Sequence, residues 1–245
     1  MSIGKGTWLV LITLLLIGSL IGYLMAQQKI KAYQQTKVDR LAKNQSVIEY
    51  RQPESAPSLV LFGDSRAAQW PSDLYPVEEH VFNAGIGGDV TANMLWRLPR
   101  DVLDFNPATV VVLAGINDLV TASMITNPNL YRQTVAATTD HIEAFVKQLS
   151  DQNIQVILFT ITPPLKTSFL RRLVWGNTIT ADVDKVNATL KNLANDKVVV
   201  IDSVATFKQS GANWQDQVRV DALHFSRSGY ELLRDAVADA LSNHR

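Results

Sequence analysis

Leu59-Val60-Leu61-Phe62-Gly63-Asp64-Ser65 runs four apolar residues directly into a glycine, an acid and a serine. A short apolar run closed by turn-forming residues suits a strand buried on both faces, as in a parallel sheet. With Ser58 the run defines a first strand over Ser58–Phe62. Four more runs of the same kind follow at His80–Asn83, Thr109–Ala114, Ile154–Thr160 and Val198–Ile201. Helical periodicity fills the intervals. Met94, Leu95, Leu98 and Val102 share a face over 91–104, and Val135, Ile142, Phe145, Val146 and Leu149 share one over 131–150. Val183, Val186, Leu190 and Leu193 do so over 181–194, and Leu232, Leu233, Val237 and Leu241 over 228–242. Strands alternating with helices predict an α/β fold with a five-stranded parallel sheet covered on both sides.

In such sheets ligands sit beyond the carboxyl ends of the strands. There the sequence places Ser65, then Asn83-Ala84-Gly85-Ile86-Gly87-Gly88-Asp89, then Gly115-Ile116-Asn117-Asp118, then Thr162-Pro163-Pro164, and finally Asp221-Ala222-Leu223-His224. These residue types suit acyl transfer. A serine hydroxyl needs a base to take its proton, and imidazole does so near neutral pH. A carboxylate three residues before the histidine can fix the ring's tautomer and stabilise the imidazolium. The backbone N–H groups of Ser65 and Gly88 and the Asn117 amide could serve a developing oxyanion. Each residue also has a plainer reading. Ser65 could cap a helix, His224 could be structural, and Asn117 could merely turn the chain. His80, His141 and His244 are poorer candidates for a base. Asp89 and Asp118 are read as loop braces.

Taken together and in this order, the blocks resemble those of the SGNH (GDSL) hydrolase superfamily. Gly63-Asp64-Ser65, Asn83–Asp89, Gly115–Asp118 and Asp221–His224 carry the resemblance, which spans about residues 58–240. It implies a flavodoxin-like three-layer α/β/α sandwich and hydrolysis of esters or thioesters. It implies Ser65 as nucleophile, His224 as base, Asp221 as its partner, and an oxyanion hole from Ser65, Gly88 and Asn117. One departure is Arg66-Ala67-Ala68-Gln69 after the serine, where many members carry a glycine. Arg66 resembles the platelet-activating-factor acetylhydrolase-like and carbohydrate acetylesterase branch and favours a short acyl group. The expected activity is a serine esterase for short-acyl or acetyl esters of a small-molecule, lipid or glycan alcohol. O-acyl transfer to a glycan and a retired scaffold are the alternatives.

Other chemistries find no signature. There is no Gly-x-Ser-x-Gly elbow and no His-Glu-x-x-His or other metal spacing. Val90 occupies the third glycine position of a dinucleotide loop. No cofactor and no metal is expected. Cysteine is absent, which removes disulfides and thiolate ligands. Residues 1–43 hold six of the 23 bases but one of the 23 acids, so the remainder is net acidic by five charges. Such a domain lacks the footprint of a nucleic-acid binder.

The amino terminus differs in kind. Trp8–Ala26 is nineteen residues without a charge, enough for roughly 28 Å of helix. It is read as a retained single-pass anchor rather than a cleaved signal peptide. Basic residues flank both ends, and the domain is read as extracytoplasmic. Residues 1–26 form tail and anchor, 27–57 a stalk, and 58–245 the hydrolase domain. Gln27–Gln45 suits a helix with Ile30, Tyr33, Val38 and Leu41 at roughly helical spacing. That stripe could pair with a second copy, although a solvated juxtamembrane helix is the simpler reading. Lys166–Trp175, basic and apolar, is read as an ordinary insertion, with a lid or lipid contact as the alternative.

Overall fold

The computed structural model describes residues 5–42, 53, 55–77, 80–165 and 174–243. Five strands form one parallel sheet: β1 (Leu59–Gly63), β2 (Val81–Gly85), β3 (Thr109–Leu113), β4 (Gln155–Phe159) and β5 (Val198–Ile201). Their order is β2-β1-β3-β4-β5, the flavodoxin-like order that reverses direction between β2 and β3. The strands fall where the apolar runs predicted them. The first two extend further, because Gly63 pairs with Gly85 at the end of the ladder. Glycine weakens a strand, so its presence suggested an earlier end.

Alternating side chains of each strand enter two cores. Val60, Phe62, Val110, Val112, Val156 and Leu158 point to one face. There they meet α3 (Thr91–Asp101), α4 (Ile116–Ala122), α5 (Pro128–Asp151) and α6 (Ile179–Lys191). Leu59, Leu61, Val111, Leu113, Ile157 and Phe159 point to the other. They meet α2 (Ser65–Ala68), α7 (Ser203–Lys208), α8 (Trp214–Gln217) and α9 (Arg227–Asn243). The result is the expected three-layer sandwich. The helix expected over 91–104 stops at Asp101; a 3₁₀ turn, Leu103–Phe105, ends with Asn106 in the left-handed region at φ 47°. Asparagine adopts that region more readily than most residues.

The amino-terminal helix α1 (Lys5–Ala42) runs unbroken from the apolar stretch into the stalk. Its stretch Ile12–Thr36 is long and apolar enough to cross a membrane, and the side chains of 12–26 are exposed. Further along, one face leans on the domain. Gln27, Ile30, Gln34 and Val38 are half-buried, and Gln34 Nε2 donates to the Val174 carbonyl at 3.1 Å. Val38 joins Ile125 and Ala137 around a cavity of about 350 Å³. The inward face is therefore rotated from the expected stripe, since Tyr33 is 44% exposed. The domain offers a polar carbonyl beside an apolar patch, so glutamines and aliphatics share the contact. The Leu41 side chain lies outside the described residues, as do residues 166–173 of the basic insertion.

Candidate active site

Parallel strands that end together bring their following residues onto one edge, and β1 supplies the first. Asp64 caps the short helix α2, its Oδ1 accepting from Arg66 N at 2.8 Å. Ser65 is thus the first residue of the helix and not its cap, which leaves its hydroxyl to other partners. That hydroxyl lies 3.0 Å from His224 Nε2, and His224 Nδ1 lies 2.9 Å from Asp221 Oδ2. The structure brings Ser65, His224 and Asp221 into one hydrogen-bonded line. The second Asp221 oxygen accepts from the backbone N–H groups of Leu223 at 2.7 Å and His224 at 2.8 Å. Burial pushes the Asp221 carboxyl up, but the hydrogen bonds from the His224 ring and from these amides outweigh it and hold it at about 2. The carboxylate is ionised at any working pH.

The loop after β2 stands opposite. Gly88 has φ 78°, in the left-handed region that suits glycine. Gly85 is needed for a different reason: a Cβ there would lie 2.2 Å from Ala68 N, so β2 and α2 could not meet. Asn83 ties the same two elements, its Nδ2 donating to the Ala67 carbonyl at 2.8 Å and its Oδ1 accepting from Gly85 N at 2.9 Å. Asn117 lies in the first turn of α4, and its Nδ2 donates to the Asp89 carbonyl at 2.9 Å. An amide nitrogen carries two N–H groups, so this bond orients the side chain and leaves a second donor. Asp118 is buried and accepts from the N–H and hydroxyl of Thr91, at 3.1 and 2.7 Å. The braces expected of Asp89 and Asp118 are what these carboxylates form.

Three buried arginines hold this edge together, and the sequence reading missed two of them. Arg97, 1% exposed, donates to Asp89 Oδ2 at 2.7 Å, to the Ala84 carbonyl at 2.7 Å and to the Gly63 carbonyl at 3.0 Å. One guanidinium thereby ties the strand end before Ser65 to the loop that carries Gly88. Its Cζ lies 4.4 Å from the Phe62 ring centroid. Arg66 donates to the Leu223 and Thr162 carbonyls at 3.1 and 2.9 Å. Arg219 donates to the Ala222 and Pro163 carbonyls at 3.2 and 2.6 Å. Both stack on Phe225, at 5.1 and 5.4 Å from its centroid. Arg66 and Arg219 thus clamp the loop bearing Asp221 and His224 to the end of β4. Burial lowers the Arg219 guanidinium to about 9, with Arg66 adding to the effect. Arg97 left one sequence signal, a charge between Met94 and Leu98 on the apolar face of α3. Arg219 left none.

His141 is half-buried beside Thr91, 3.1 Å from its hydroxyl, and His80 is exposed at the start of β2. His244 lies outside the described residues. Among the described residues no group of acidic or histidine side chains could hold a metal ion.

The profile of the GDSL-like lipase/acylhydrolase family matches residues 55–232. Platelet-activating factor acetylhydrolase IB subunit alpha2 of Homo sapiens is 27% identical over 198 residues, which cover 76% of each chain. Among solved structures, a lipase/acylhydrolase from Enterococcus faecalis is 30% identical with a TM-score of 0.58; the match covers 76% of this chain and 96% of that one. An acetyl xylan esterase shares the fold at 20% identity with a TM-score of 0.58, over 75% of this chain and 98% of that one. With a family profile over most of its length, this chain belongs to the GDSL-like lipase/acylhydrolase family and is an ester-hydrolysing serine hydrolase.

Proposed function

We propose that the protein is a membrane-anchored esterase for short-acyl, chiefly acetyl, esters, with Ser65 as nucleophile. The observation that carries this reading is the line from Asp221 through His224 to Ser65, with contacts of 2.9 and 3.0 Å. Ser65 Oγ attacks the ester carbonyl carbon while its proton passes to His224 Nε2. The carbonyl oxygen becomes an oxyanion that accepts from the N–H groups of Ser65 and Gly88 and from the Asn117 amide. Collapse breaks the bond to the alcohol oxygen, which takes the proton from His224. Water then attacks the acyl-Ser65 carbonyl and gives its proton to His224. The acid departs, and the proton returns to Ser65 Oγ. Asp221 stays ionised throughout and steadies the imidazolium.

The short acyl group draws support from Arg66 and from the 27% identical human acetylhydrolase. The anchor draws support from the exposed apolar stretch of α1. The test is hydrolysis of p-nitrophenyl acetate by the full chain purified in detergent. Ser65→Ala abolishes turnover, and Asn117→Ala lowers kcat about 10²–10³-fold, the usual cost of one oxyanion donor. Undiminished turnover in the Ser65 variant overturns the assignment.

A further inference from the structure

The contact between α1 and the domain encloses a cavity of about 350 Å³. Val38 closes it from α1, Ala92 from α3, Ile125 from the loop after α4, and Leu130, Ala137 and His141 from α5. None of Ser65, Gly88, Asn117, Asp221 and His224 lines it, so it stands apart from the candidate active site. An apolar cavity of about 150 Å³ is already enough to bind benzene. Sites for small molecules begin at about 300 Å³ and combine apolar walls with a few placed polar groups. The polar side chains in this wall are mostly turned away. The Thr134 hydroxyl donates to the Leu130 carbonyl at 2.9 Å, and the Asp118 carboxyl is turned to Thr91. Leu130, 42% exposed, and the exposed Gln133 mark the mouth.

His141 is the exception, and Thr91 fixes how it faces a ligand. A threonine hydroxyl has one hydrogen. With Asp118 ionised, Thr91 gives it to Asp118 Oδ1 at 2.7 Å, and its oxygen accepts from His141 Nδ1–H at 3.1 Å. The other ring nitrogen, Nε2, makes no hydrogen bond among the described residues and is left as an acceptor. With Asp118 protonated the three bonds reverse, and Nε2 carries the hydrogen. A hydroxyl group meets either state, because it can both give and accept. Charged groups fit less well. Burial lowers the His141 imidazole, against the pull of Asp140, so the ring is neutral near pH 7. Burial lifts the Asp118 carboxyl to about 7, so it is no fixed anion. A carboxylate or ammonium would therefore enter an apolar space without a settled counter-charge. Val38 lies about 18 Å along α1 from Ala26, so on the anchored reading the ligand arrives from water and not as a lipid still seated in the bilayer.

We propose that the cavity between α1 and α5 is a binding site for a neutral apolar alcohol, whose chain lies against Val38, Ile125 and Ala137 and whose hydroxyl bonds His141 Nε2. The site is separate from ester hydrolysis and does not depend on the role of Ser65. Its test is titration of the full chain, held in lipid nanodiscs and labelled with ¹⁵N-histidine, with 1-octanol. Dissociation constants are referred to the free aqueous concentration. His141→Gln identifies the His141 ring signals among the four histidines. Heptyl methyl ether, an isomer of octanol without an O–H, is titrated beside it, as are octanoate and octylamine. The expected result is a saturable shift of the His141 ring nitrogens by octanol, with each of the other three compounds binding about fivefold more weakly or worse. Ala137→Phe fills the cavity from the domain, and Val38→Phe fills it from α1 without touching the sheet cores. Both side chains are half-buried, and circular dichroism checks that each variant is folded. Octanol binding should weaken about tenfold or more in both. A native chain whose His141 signals do not shift overturns the site, as does an octanol affinity within about twofold of the native value in either folded variant. An ether, carboxylate or amine that binds as tightly as octanol overturns the assignment of a neutral alcohol.

Discussion

Asp118 follows the oxyanion candidate Asn117, yet its side chain turns inward to Thr91, whose hydroxyl also meets His141. Burial lifts this carboxyl to about 7, against the hydrogen bonds from Thr91 that lower it. In the unfolded chain it ionises near 3.8. The folded state therefore keeps the proton longer, and folding loses stability as pH rises from about 4 to about 7. Above that window the whole penalty is present. Asp64, lifted to about 6 mainly by burial, acts in the same direction. Asp221 acts oppositely. Its carboxyl sits at about 2, so its contribution is present above about 4 and is lost as pH falls through 2. Asp118→Asn removes one ionisation and keeps an acceptor for Thr91 N. Its denaturation midpoint should fall less between about pH 5 and about pH 8 than that of the native chain. Equal slopes in the two proteins would refute this account.

Among the elements, α3 does more than cover the sheet. It delivers Arg97 to the gap between β1 and β2, where the guanidinium satisfies two strand-end carbonyls and Asp89 at once. A cation so buried is costly alone, and removing it leaves the buried Asp89 without its guanidinium partner and Asp101 with Arg100 only. Arg97→Met preserves much of the side-chain length and none of the charge. It should destabilise the fold by about 3–5 kcal/mol, read from urea denaturation midpoints. The remaining folded protein should also turn over ester more slowly, because Ser65 and Gly88 lose their common brace. Normal turnover per folded molecule would mean that the brace serves stability alone. The paired clamp of Arg66 and Arg219 on the loop after β4 follows the same logic: main-chain carbonyls near the site are held by buried guanidinium groups rather than by a ladder.

For the molecule as a whole, α1 is the element with two environments. Its side chains are exposed over 12–26, and one face is half-buried against the domain from Gln27 to Val38. Ala26 and Val38 are twelve residues apart along a continuous helix, about 18 Å. On the anchored reading, the domain is held close to the bilayer instead of swinging on a loose tether. The full chain should remain with membranes after an alkaline carbonate wash. A tag placed after Arg245 should be lost to protease from right-side-out vesicles, since the domain is proposed to lie outside the cytoplasm. Release by carbonate would remove the anchor, and a protected tag would reverse the orientation.

The sequence by itself determined the five strands, their alternation with helices and the residues at their ends. Strands buried on both faces must be apolar throughout, so each is visible locally, and parallel strands must present their following residues on one edge. The candidates Ser65, Gly88 and Asn117, close behind β1, β2 and β3, were legible for that reason and through their ordered blocks; Asp221 and His224, beyond β5 and two intervening helices, were legible through their block alone. Only the tertiary structure decided how that edge is held. Arg66 reaches a carbonyl 157 residues away, and no local pattern records such a partner. The rotated face of α1 and the inward turn of Asp118 belong to the same class. Each depends on which helix surfaces meet, a matter of packing between distant segments that short-range periodicity does not encode.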